Sequence, residues 1–99
     1  MYRLSLAAAA ILILCLCARA QAMDAQKLAQ AKADEIASAG RLYHPHAKWP
    51  AKARREGVGR GATASRAVAN CCYWGKRKPM AIAWSRSKSG RYYACVIYF

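Results

Sequence analysis

The chain reads as an α+β domain in which two helices cover a small antiparallel sheet ending in a C-terminal hairpin. Three observations predict this. Apolar residues recur at helical spacing in the alanine-rich stretch after Met23. Two segments of strand character close the chain on either side of a Ser- and Gly-containing turn. The second of them has no polar face, so both of its sides must be covered.

The elements follow in order. Arg3 and the apolar run Leu4 to Cys17, broken only by Ser5, precede Ala18-Arg19-Ala20 and Ala20-Gln21-Ala22, two small-x-small sites. This is the pattern of a secretory signal peptide over residues 1–22. The run is shorter than the roughly 20 residues a membrane-crossing helix needs. Cleavage after Ala22 leaves residues 23–99 as a single small domain without a transmembrane span, secreted or periplasmic.

Asp24 to Ala39 is the first helix. Asp24 can cap it, and Ala25, Leu28, Ala29, Ala33, Ile36 and Ala37 make its apolar stripe. Gly40 stands where a left-handed terminating residue belongs. Arg41 to Gly61 reads as a loop because Pro45, Pro50, Gly57, Gly59 and Gly61 interrupt it. Thr63 is a reasonable cap for a second helix to about Cys72, with Ala64, Ala67, Val68, Cys71 and Cys72 on one side. Gly75 and Pro79 stop it. Met80 to Ser85 and Tyr92 to Tyr98 are strands, joined by Ser87-Lys88-Ser89-Gly90 with Gly90 free to take positive φ. Tyr93, Cys95, Ile97 and Phe99 share one face of the last strand. Tyr92, Ala94, Val96 and Tyr98 share the other. One helix on each face would cover both.

A domain this short buries little apolar surface and usually carries a staple. Cys71, Cys72 and Cys95 remain after processing, and exported thiols tend to pair. A bond from Cys71 or Cys72 to Cys95 would close a loop of about 24 residues, for roughly 3 kcal/mol on the loop-entropy account. The cysteine left over would be inert or would join two chains.

Charge narrows the partners. There are 17 Lys and Arg against 4 Asp and Glu. From Arg41 onward there are 13 basic residues and one acid, Glu56. Such a field favours anionic surfaces. Outside the cytosol these are envelope components or extracellular ligands, and no nucleic acid partner is expected. With four acids in all, paired-carboxylate chemistry lacks raw material.

The candidate sites are few. His44-Pro45-His46 places two imidazoles two positions apart. With Glu56 they could offer three ligands to a divalent metal such as Zn²⁺; otherwise no cofactor is expected. Arg54 and Arg55 favour the ionised form of Glu56, which reads as an ion-paired carboxylate rather than a general acid. Tyr73, Trp74, Trp84, Tyr92, Tyr93, Tyr98 and Phe99 alternate with basic residues, and most of these rings are expected in the core. Trp74, Lys76, Arg77 and Lys78 are the candidate ligand contacts.

The segment Leu28 to His44, an alanine-rich helix followed by Gly and then His, resembles part of the CAP superfamily, the secreted cysteine-rich, antigen-5 and pathogenesis-related-1 proteins. Glu56-Gly-Val-Gly resembles the family's Gly-Glu-Asn box, and Ala81 to Phe99 resembles its closing hairpin. The resemblance implies a shortened α-β-α sandwich. It places His44 and Glu56 at the family's cavity, which can hold a divalent metal. The family's second histidine and its first helix have no counterpart here.

The combined expectation is a small exported basic domain that binds an anionic envelope or extracellular ligand without catalysis. The alternatives are a cationic membrane-active polypeptide and a metal-dependent hydrolase using His44 and Glu56.

Overall fold

A computed structural model of the chain describes residues 24–45, 53 and 55–99. The expected signal peptide, residues 1–22, lies outside them, as does His46. Helix α1 spans 24–39 and is followed by strand β1 (Arg55–Gly61), helix α2 (Ala64–Ala69), and strands β2 (Pro79–Arg86) and β3 (Tyr92–Tyr98). The sheet order is β1-β3-β2, and β3 is antiparallel to both neighbours. The outer strands are therefore parallel to each other, and α2 lies in the connection between them.

The α+β class is as expected, with one helix packed on each face of the sheet. On one face, Ala25, Ala29, Ala33, Ile36 and Ala37 of α1 pack with Val58, Ala81, Ala83, Tyr93, Cys95 and Ile97. On the other, Ala67 and Cys71 pack with Ala94, Val96 and Tyr98. The alternation of β3 thus feeds two cores, one for each helix. The alanine stripe of α1 has little bulk, which lets the helix axis approach the sheet. Gly40 ends α1 at φ +69°, its N–H donating to the Ile36 carbonyl at 2.9 Å.

The glycines before α2 were expected to make a loop. They instead form strand β1, and the reason lies in the packing. Gly57, Gly59 and Gly61 alternate with Glu56, Val58 and Arg60. A methyl group on Gly57 would sit 2.4 Å from the Cys72 carbonyl oxygen, and one on Gly59 2.4 Å from that of Ala67. On Gly61 it would lie 2.8 Å from Arg66 Cβ. The period-two glycines let α2 and the turn after it lie directly on the strand backbone.

Helix α2 has the expected cap, with Thr63 Oγ1 accepting from the Arg66 N–H at 3.2 Å. It stops at Ala69, short of Cys72. Asn70 caps the end, and Tyr73 and Gly75 then take positive φ, 66° and 79°, which an α-helix does not accommodate. Tyr98 Oη donates to the Cys72 carbonyl at 2.7 Å and holds this turn to the end of β3.

So short a helix leaves part of the sheet bare, and the expectation that most rings are core fails for this reason. Tyr93 and Tyr98 are buried. Trp84, Tyr73, Trp74 and Phe99 are exposed, and Ile82 stands beside Trp84 on the uncovered stretch of β2. The outer edge of β2 is protected in another way. Gln26 Nε2 donates to the Ile82 carbonyl at 2.7 Å and Gln30 Nε2 to the Trp84 carbonyl at 3.0 Å. One helical turn matches two strand residues, so α1 occupies acceptors that another strand would use.

The expected disulfide is not formed, since Cys71, Cys72 and Cys95 are free thiols. Cys95 lies in the α1 core and Cys71 in the α2 core, so the sheet stands between them. Cys72 is exposed beyond the end of α2. Without the staple, these described residues are held by the two cores and the ladder. Among them, no helix is long and apolar enough to cross a membrane.

Candidate functional site

The sequence singled out His44 and Glu56, and the fold brings them together. Glu56 lies on β1 with its side chain in the α1 core, where it is 3% exposed. A carboxylate in such a place must be paired and hydrogen-bonded. Its Oε1 takes the ammonium of Lys32, which is also only 3% exposed. Its Oε2 accepts from His44 Nδ1 at 2.5 Å. The Cys95 thiol donates to Oε1 at 3.7 Å.

His44 arrives on the segment after Gly40, and its imidazole is 58% exposed. The bond at Nδ1 orients the ring and leaves Nε2 for solvent or a ligand. Glu56 is thus an ion-paired carboxylate, as its charge environment suggested. Its partner, however, is Lys32 and lies 24 residues away in the chain.

Lys32 is the residue that sequence reasoning missed. The signal was present, because Lys32 falls on the same helical face as Ala25, Ala29, Ala33 and Ile36. A lysine inside an apolar stripe needs a buried anion, and Glu56 is the one acid outside α1.

The Lys32 ammonium already supplies the cation at Oε1, and a metal would have to displace it. Among the described residues, no group of three His, Cys, Asp or Glu side chains is placed to hold a metal ion. His46, the third expected ligand, lies outside them.

The two buried thiols are poor nucleophiles. Burial, with a smaller contribution from Cys72, pushes the Cys71 thiol up to about 12. Burial and then the Glu56 charge push Cys95 up as well. A thiolate at either position is disfavoured at neutral pH.

Trp74, Lys76, Arg77 and Lys78 lie together on the turn between α2 and β2. Trp74, Lys76 and Lys78 are exposed there, beside Tyr73. Arg77 is tied inward, with Nη2 donating to the Phe99 carbonyl at 2.9 Å. The Lys78 ammonium lies 5.4 Å from the Phe99 ring centre, and Tyr73 meets Tyr98 edge-on at 6.0 Å. A bulky residue at positive φ, as Tyr73 is, marks a strained turn. The turn presents aromatic and cationic side chains outward at this end of the sheet.

No protein family, curated protein or solved structure matches the chain in comparison.

Proposed function

We propose that the chain is an exported, non-catalytic binding module whose basic surface takes up an anionic envelope or extracellular ligand. One observation carries the reading. Glu56, the one acid from Arg41 to Phe99, is buried against Lys32. The surface contributed by this part of the chain therefore offers cationic side chains and no side-chain carboxylate. The other acids, Asp24, Asp34 and Glu35, are confined to the exposed side of α1. A field so polarised orients an approaching polyanion toward the sheet ends and α2.

Trp74, Lys76 and Lys78 are the contacts of this reading, with Arg77 positioning their turn through Phe99. Two readings are weaker. Membrane activity through a basic amphipathic helix finds no support, because the exposed side of α1 mixes Lys27 with three acids and α2 is six residues long. Hydrolysis through a metal at His44 and Glu56 runs against the ammonium already seated on the carboxylate.

The test is binding to dextran sulfate at low salt, read by fluorescence of the exposed tryptophans, alongside dye release from phosphatidylglycerol vesicles. The expected result is saturable binding without dye release, weakened when Lys76 and Lys78 are both changed to Gln. Absence of binding, or release of dye at the same protein concentration, would refute the reading.

A further inference from the structure

At the opposite end of the sheet from Trp74, a cleft of about 390 Å³ opens between the end of β1 and the β2–β3 turn. Arg60, Gly61, Ala62, Ser89, Gly90 and Arg91 line it. We propose that this cleft is a second subsite for the anionic ligand, taking one sulfate or phosphate ester group between Arg60 and Arg91, and that the ligand is a linear polyanion bridging both ends of the sheet. The proposal rests on the anion-binding reading above.

The cleft is held open by its turn. The Ser87 N–H donates to the Arg91 carbonyl at 2.7 Å, and the Arg91 N–H donates to Ser87 Oγ at 3.2 Å. Ser89 Oγ lies 2.8 Å from Ser87 Oγ, and Gly90 turns the chain at φ +89°. Between the two arginines the lining is glycine, alanine and serine, so no bulky side chain fills the space.

Among the described residues neither Arg60 nor Arg91 has a carboxylate partner. The planar guanidinium fork matches a tetrahedral oxyanion through two parallel N–H donors, and two forks across a cleft can hold one such group from both sides. The cleft is several times larger than one oxyanion. It has room for the ester together with the sugar that bears it.

The placement of the two sites identifies the ligand as a chain molecule. Arg91 precedes Tyr92, the first residue of β3, whereas the Trp74 turn is held to Tyr98, the last. Seven strand residues put roughly 20 Å between the two ends. A flexible polymer long enough to span that distance engages both ends at once, and the second contact is then intramolecular and raises avidity.

The experiment uses protein expressed from the complete 99-residue sequence, with long dextran sulfate, a sulfated disaccharide, inorganic phosphate and phosphatidylglycerol vesicles as probes. The double variant Arg60→Gln/Arg91→Gln is compared with Arg66→Gln/Lys88→Gln, which removes the same charge outside the cleft. The cleft variant is expected to weaken binding of long dextran sulfate about tenfold or more beyond the control, and to abolish binding of the disaccharide. Inorganic phosphate should compete only at concentrations far above those of the polymer. Equal loss in both double variants would overturn the subsite. Vesicle binding as tight as that of the polymer would overturn the bridging ligand. In the unaltered protein, dextran sulfate should protect Arg60 and Arg91 from phenylglyoxal while Arg66 continues to react, and equal reactivity of all three would refute the proposal independently of any variant's folding. If the unaltered protein binds none of the probes, the general anion-binding reading fails. If it binds the polymer but the cleft variant behaves as the control does, the subsite alone fails.

Discussion

Lys32 and Glu56 form an ion pair whose value depends on both members being present. Removing one leaves the other charged in a core without compensation, at a cost of about 3–5 kcal/mol. Glu56→Gln should therefore lower stability by that amount in urea unfolding. The double variant Lys32→Met/Glu56→Leu should recover most of the loss, because apolar replacements of similar volume need no partner. A double variant as unstable as the sum of the singles would mean zero coupling between Lys32 and Glu56 and would contradict the pair. His44→Ala should cost less than about 1 kcal/mol, since the ring is mostly exposed and Lys32 still holds the carboxylate. The cysteines separate in the same way. Of Cys71, Cys72 and Cys95, only the exposed Cys72 should react with a thiol reagent in the native protein at pH 8, with the other two reacting in denaturant. Peptide mapping checks this, and modification of Cys95 in the native state would contradict its burial. Oxidation should correspondingly join two chains through Cys72, the role left open for an unpaired cysteine.

At the level of elements, the glycine strand is the most sensitive feature. Gly59→Ala places a methyl group against the Ala67 carbonyl of α2, where backbone must move to relieve it. A loss of about 1–3 kcal/mol in unfolding free energy, read as a lowered urea midpoint, is expected, the range for overpacking. An unchanged midpoint would mean that α2 does not rest on β1. The same strand shows where sequence reading reaches its limit. The helix α1, the terminating Gly40, the Thr63 cap and the β2–β3 hairpin were legible because each follows from local periodicity or turn chemistry. Strand β1 was not, since three alternating glycines have the same composition as a loop, and only a helix packed on top distinguishes the two. The site was half legible. His44 and Glu56 stood out as rare residue types, whereas the pairing of Glu56 with Lys32 depends on a helix packed against the sheet. The cysteines looked paired by compartment and spacing, but adjacent positions in a strand face opposite ways, and that places Cys95 away from Cys71.

For the whole molecule, the buried acids of the two cores set the alkaline limit. The Cys71 thiol and the Tyr98 phenol are both raised to about 12, in each case chiefly by burial, and Cys95 is raised for the same reason. In the unfolded chain thiols release protons from about pH 8.5 and tyrosine from about pH 10. The folded chain still holds them there. Between those values and about 12 the unfolded state binds fewer protons, so stability falls as pH rises. The urea midpoint should be flat from pH 7 to 8 and decline steadily above pH 9, more shallowly in Tyr98→Phe. A midpoint unchanged through pH 10.5 would contradict the two-core arrangement.

The charge distribution is the property from which the functional reading follows, and its dependence on salt tests that reading most directly. The affinity for long dextran sulfate should be measured from about 50 to 200 mM salt, since contacts with a polyanion release counterions and log affinity then falls linearly with log salt. The account predicts a steep negative slope, reduced by roughly one for each basic residue removed from Arg60, Lys76, Lys78 or Arg91. A slope near zero, or one untouched by those substitutions, would contradict it.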